Sequence, residues 1–91
     1  MKTSVEIESN YRTGEKSILI TSRASFGDRA YGEVDKIREC VTKMNYRVES
    51  SCVSVKGAYR KAIVSVSIPD NKIGNLKQIK EDMKIELDKV N

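Results

Sequence analysis

The chain has no histidine and no tryptophan, one phenylalanine, one proline and two cysteines. Histidine is the side chain whose ordinary pKa places proton exchange near neutrality, so His-based acid/base chemistry is excluded. Two thiols with no imidazole cannot complete a four-ligand zinc site unless two copies share it, and no metal is expected. Long apolar runs are also missing. The longest aliphatic runs, Ile18-Leu19-Ile20 and Ala62-Ile63-Val64, are three residues each. A secretory signal needs about 7–15 apolar residues and a membrane helix about 20. Neither is expected, and no membrane partner is expected. A cytoplasmic location follows as the expectation, with Cys40 and Cys52 reduced and serving as small semi-buried hydrophobes.

What is present fits one small domain spanning residues 1–91. Apolar residues make up 38% of the 91 residues, enough for a modest core, and the net charge is +4. Valine and isoleucine outnumber leucine by 18 to 3, which favours sheet over helix. Residues 5–11 alternate: Val5, Ile7, Ser9 and Tyr11 on one face, Glu6, Glu8 and Asn10 on the other. That is the pattern of a half-buried strand. Arg12-Thr13-Gly14-Glu15 reads as a turn, and Lys16 to Arg23 as the returning strand.

Ser25 can cap a helix, with Asp28 three positions on. Phe26, Ala30, Val34, Ile37, Val41 and Met44 then form one apolar stripe over about five turns. Gly32 lies inside this run and weakens it by about 1 kcal/mol relative to alanine. Asn45 can stop the helix in the left-handed conformation. A second hairpin follows, 46–55 out and 60–68 back, around Lys56-Gly57-Ala58-Tyr59. Parity slips in its first strand, because Tyr46 and Val48 demand one face and Val53 and Val55 the other. A bulge near Ser50-Ser51 would reconcile them. Pro69 ends the hairpin, Asp70 or Asn71 caps, and residues 72–90 are expected to form a second helix on Ile73, Leu76, Ile79, Met83, Leu87 and Val90.

The expected fold is therefore a two-layer α+β domain, ββαββα, with a four-stranded antiparallel sheet and both helices on one face. The halves 4–45 and 46–91 resemble each other. An offset of 45 places Ser17-Ile18-Leu19-Ile20-Thr21-Ser22 over Ala62-Ile63-Val64-Ser65-Val66-Ser67. Offsets of 45–46 place Val34, Val41 and Met44 over Ile79, Leu87 and Val90. Both a ββα duplication and convergent patterning fit this likeness.

Known motifs fail at their decisive positions. Gly27 and Gly32 have phosphate-loop spacing, yet Glu33-Val34 stands where such a loop needs Lys and Ser/Thr. Lys56-Gly57-Ala58-Tyr59 lacks the stacking aromatic of an RNA recognition motif, whose order is also βαββαβ. Gly57-Ala58-Tyr59-Arg60 lacks the second glycine of a KH loop. Glu6 and Glu8 share a strand face as any exposed strand would, and no serine has a recognisable base beside it. No catalytic residue, cofactor or enzymatic activity is expected.

Charge placement is the least ordinary feature. Between Glu49 and Asp70 lie twenty residues with three cations, Lys56, Arg60 and Lys61, and no acid. All three flank Tyr59 at the second hairpin tip. The first tip carries Tyr11, Arg12 and Lys16, diluted by Glu15. Cations beside an aromatic suit phosphate contact with base stacking, whereas a plain solvated turn would use the same charges to guard a sheet edge. Arg23 and Arg29 flank the first helix start, where free N–H groups favour anions. The expected partner is nucleic acid, engaged by the two tips. The alternative is a protein-binding adaptor or inhibitor of the phage or mobile-element kind, acting through the open sheet face or an edge strand. Leu19 and Ile63, pointing away from both helices, would supply an interface there, and a homodimer is one way to cover them.

Overall fold

The computed structural model describes residues 3–9, 11–24, 27–57 and 59–90. Alternating segments of the sequence become two antiparallel hairpins. β1 (Thr3–Ser9) pairs with β2 (Lys16–Ala24), and β3 (Arg47–Lys56) pairs with β4 (Tyr59–Ser67). Each connection contains a glycine in the left-handed region, Gly14 at φ 76° and Gly57 at φ 62°, where a side chain would be strained. β2 and β4 then pair antiparallel, giving the order β1-β2-β4-β3. The two strands with unbroken aliphatic triplets are thus the central ones, as strands covered on both faces require.

α1 (Gly27–Lys43) follows the first hairpin and α2 (Leu76–Val90) the second. Ile18, Ile20, Ala62, Val64 and Val66 are fully buried on one face of the sheet. Val34, Ile37, Cys40 and Val41 of α1, with Ile79, Met83 and Leu87 of α2, complete that core. Each large side chain so buried contributes about 1.5–3 kcal/mol relative to exposure. The core is a single layer between sheet and helices, so the ββαββα two-layer architecture is the one the periodicities imply.

Three sequence features act as expected. Asn45 takes φ 66° after α1, and the Tyr46 amide donates back to the Val41 carbonyl at 3.2 Å. The β3 register shifts between Val48 and Ser50, leaving Glu49 as the extra residue. Val48 opposite Val66 and Val53 opposite Ala62 therefore both face the helices. Gly32 sits inside α1 with open space around it. The proposed Ser25 cap and Phe26 lie outside the described residues.

Four details differ. The second helix does not begin at residue 72. Asp70–Asn75 forms a 3₁₀ turn, opened by Pro69 without a side-chain cap, with the Lys72 amide donating to the Pro69 carbonyl at 2.9 Å. Gly74 and Asn75 are poor α-formers, and the tighter helix is a common prelude to an α-helix. Val90 is 48% exposed at the last position of α2 and does not belong to its buried stripe. Tyr11 lies in the turn after β1 rather than in the strand, 92% exposed. Finally, an offset of 45 would align inward Ile18 with outward Ile63, so the halves can correspond only by an even shift. Ile18, Ile20, Ile37 and Val41 have buried counterparts 46 residues on in Val64, Val66, Met83 and Leu87.

Candidate nucleic-acid interface

The face of the sheet away from the helices has no element of the described chain packed on it. Its rows follow from the register. Glu6 lies beside Leu19, Ser65 and Ser50; Ser4 beside Thr21, Ile63 and Cys52; and Arg23 beside Lys61 and Ser54. Leu19 and Ile63 do point away from the helices, and both are half-buried by their neighbours.

The two hairpin tips do not share a site. Ser17 pairs with Ser67 and Ala24 with Arg60, so the first tip lies at one end of the sheet and the second at the other. Seven residues of strand separate them, roughly 23 Å at about 3.3 Å per residue. Their electrostatics also differ. At the first tip a cavity of about 620 Å³ is lined by Glu8, Glu15, Glu49 and Asp70, with Tyr11 and Lys16. The Lys16 ammonium donates to Ser9 Oγ at 2.8 Å. Arg12 is exposed in the turn. An acid-lined surface repels phosphate, which sets Tyr11, Arg12 and Lys16 apart from the second tip.

At the other end the sheet assembles a different set. Tyr59 and Lys61 project from β4 onto the open face, and Arg23 projects from β2 directly opposite Lys61. The Arg23 guanidinium stands over the Tyr59 ring, 5.1 Å from its centroid. Two cations facing each other across a strand pair destabilise it modestly, by about 0.2–1 kcal/mol. The cation–π contact supplies a similar amount, about 0.5–1 kcal/mol. Arg23 is thus held in place by Tyr59 against Lys61. Among the described residues, neither cation has a carboxylate within 4.0 Å. Arg60 alternates onto the helix side, half-buried, and Lys56 ends β3 with its side chain outside what is described. Arg29 is exposed in the first turn of α1, in the helix layer. Arg23 projects onto the open face opposite Lys61, whereas Arg29 stands in the helix layer.

A groove of about 1000 Å³ continues from this corner around the start of β1. Arg23 and Lys61 line one side, Ser4 and Glu6 the strand, and Lys80, Glu81, Lys84 and Ile85 of α2 the other side. Lys84 Nζ donates to the Thr3 carbonyl at 2.6 Å and pairs with Asp88 at 3.1 Å. It thereby anchors α2 to the edge strand. The i,i+4 spacing of Lys80 and Lys84 reads in the sequence as an ordinary solvated helix face. Only the strand order, with β1 at the edge beneath α2, brings them to the basic corner.

Little else offers chemistry. Among the described residues no group of three or more Cys, Asp or Glu could hold a metal, and both cysteines are free thiols. No helix is long and apolar enough to cross a membrane among those residues. The arrangement is a two-layer α+β domain with one bare sheet face, basic and aromatic at one end. Comparison with protein-family models, curated proteins and solved structures returned no match.

Proposed function

We propose that the protein is a non-catalytic, cytosolic nucleic-acid-binding domain whose contact surface is the Arg23–Tyr59–Lys61 corner of the open sheet face. One observation carries this reading: two cations that have no acidic partner among the described residues stand directly opposite each other, with an aromatic ring beneath one of them. Polyanion backbone would relieve their mutual repulsion, and the ring offers a stacking surface. The second tip retains its role on this reading. The first does not, because acids surround it.

Fluorescence anisotropy with labelled single- and double-stranded DNA and RNA at low salt tests it. Arg23→Ala with Lys61→Ala should weaken binding about ten-fold, roughly 1.4 kcal/mol, and flatten the salt dependence. Arg60→Glu should weaken it less than Lys61→Glu, since Arg60 faces the helices. Absence of measurable affinity for every nucleic acid would falsify the reading. The second reading, a protein-binding adaptor or inhibitor, is favoured by Leu19 and Ile63 on the same face. An apolar interface of that kind would respond little to salt.

A further inference from the structure

The groove beside β1 extends the basic corner in a direction that a duplex cannot follow. Tyr59, Lys61 and Arg23 lie on adjacent strands at one end of the open face, and Arg23 and Lys61 also form one wall of the groove. From there the surface passes Thr21 and Ser4, turns around the edge of β1, and meets Lys80 and Lys84 on α2. The path runs across the strands and bends over a sheet edge. Duplex DNA stays straight over such short distances, with a persistence length of about 150 base pairs. A single strand bends freely and exposes its bases for stacking.

We propose that the nucleic acid bound by this protein is a single strand, running from Tyr59 across Arg23 and Lys61 into the groove against Lys80. This rests on the reading given above and narrows it to a substrate class. Charge supports the occupant: four cations, Arg23, Lys61, Lys80 and Lys84, line the groove against two acids, Glu6 and Glu81. Lys84 is already engaged by Asp88 and the Thr3 carbonyl. Lys80 has no ion pair among the described residues and is half-buried at the groove wall, with its ammonium available to a phosphate. Tyr59 is 54% exposed, so a base can stack on its ring by displacing the Arg23 guanidinium, which then meets the adjoining phosphate. Hydroxyls of Ser4 and Thr21 along the path can donate to backbone oxygens without reading sequence. Deoxyribose and ribose strands share this chemistry.

The chain contains no tryptophan, so Tyr59→Trp installs a unique fluorophore at the stacking position. Thymidine and uridine oligomers of roughly 12 nucleotides, inside the range of about 4–16 covered by small single-strand binding folds, are the probes. A duplex of the same length is the comparison. The expected result is single-strand binding at least about ten-fold tighter than duplex binding, with Tyr59→Trp emission quenched by the oligomer. Lys80→Ala should lower the log–log salt slope by about 0.7, the single-strand value for one phosphate. Lys77→Ala removes the same charge from an exposed position of α2 outside the groove and should leave the slope unchanged. A difference between thymidine and uridine oligomers would tell whether DNA or RNA is the source of the strand. Duplex bound as tightly as single strand, an unquenched Tyr59→Trp, or identical slopes for Lys80→Ala and Lys77→Ala would overturn the proposal while nucleic-acid binding itself stood. No binding of any nucleic acid would overturn both.

Discussion

Ser22 and Cys40 show how single residues set the limits of this core. Ser22 is 1% exposed on the helix side of β2, between Thr3 and Ala62, and its Oγ has no hydrogen-bond partner. A buried polar group left unpaired costs about 1–3 kcal/mol. Ser22→Ala should therefore raise stability by about 1 kcal/mol, a gain of roughly 4–8 °C in Tm for a domain of this size. A lower melting temperature would show that the hydroxyl is satisfied after all. Cys40 is buried in α1, and desolvation, followed by the nearby Glu86 carboxylate, holds its thiol above the ordinary value of 9.0 against the opposing pull of Lys43. The thiolate is the reactive form, so a thiol reagent at pH 8 should modify exposed Cys52 promptly and Cys40 only on unfolding. The folded state keeps its Cys40 proton to higher pH than the unfolded chain does. This contribution to stability is complete below pH 9.0 and is lost as pH rises through the folded-state value. Denaturant midpoints that decline above pH 9 as steeply in Cys40→Ala as in wild type would contradict it.

At the scale of elements, β3 carries the most specific commitment. Glu49 is the one residue without a partner in β4, and removing it joins Val48 to Ser50 with alternation intact. Deletion of Glu49 should therefore preserve the fold, with a change in stability within about 1 kcal/mol. Deletion of Ser54 should not, because it turns the upstream residues of β3 to the opposite face. Melting curves that rank the two deletions the other way would remove the bulge from the account. The helices give a blunter test. Val41→Asp or Leu87→Asp places an unpaired carboxylate at a site 0% or 2% exposed, and each should unfold the domain. Cooperative melts like wild type for both would refute the helix faces. These elements were legible because burial imposes a period: two for β4 and for the Thr3–Val5 start of β1, beyond which Ile7 is already exposed, and near 3.6 for Ala30 to Val41 and for Ile79 to Leu87. The slipped parity of Val48 and Val53 pointed to the bulge for the same reason. Asp70–Asn75 was not legible as 3₁₀, because Ile73 and Leu76 keep a helical spacing while Gly74 and Asn75 weaken the α-form locally. The site was legible only in its parts. Tyr59 and Lys61 stood out in an acid-free stretch, but Arg23 and Lys80 join them through strand order and register, which no local pattern encodes.

For the molecule as a whole, the area of the open face limits what a second copy could bury there. Four strands spaced about 4.8 Å apart and some 25 Å long present roughly 400–500 Å² per copy. Two such faces together bury close to 1,000 Å², the lower bound for a specific interface. A homodimer through Leu19 and Ile63 is therefore expected to be weak, in the micromolar range or above. Its symmetry is constrained by charge, since Glu6 and Glu8 lie on β1 while Arg23 and Lys61 lie toward the opposite end of β2 and β4. A two-fold axis in the plane of the face, running across the strands, turns each Glu8 toward the Arg23 of the second copy. An axis along the strands would instead set Arg23 against Lys61, and is disfavoured. The dimer and a bound single strand then use the same arginine, so each should exclude the other. Sedimentation equilibrium should give wild type a mass above 10.3 kDa at high micromolar concentration, falling toward 10.3 kDa on dilution. Leu19→Lys with Ile63→Lys should stay at 10.3 kDa throughout, and saturating oligonucleotide should dissociate wild type into one chain per strand. Wild type that sediments at 10.3 kDa at every concentration would remove the dimer and leave Leu19 and Ile63 as half-buried aliphatics of an uncovered sheet face.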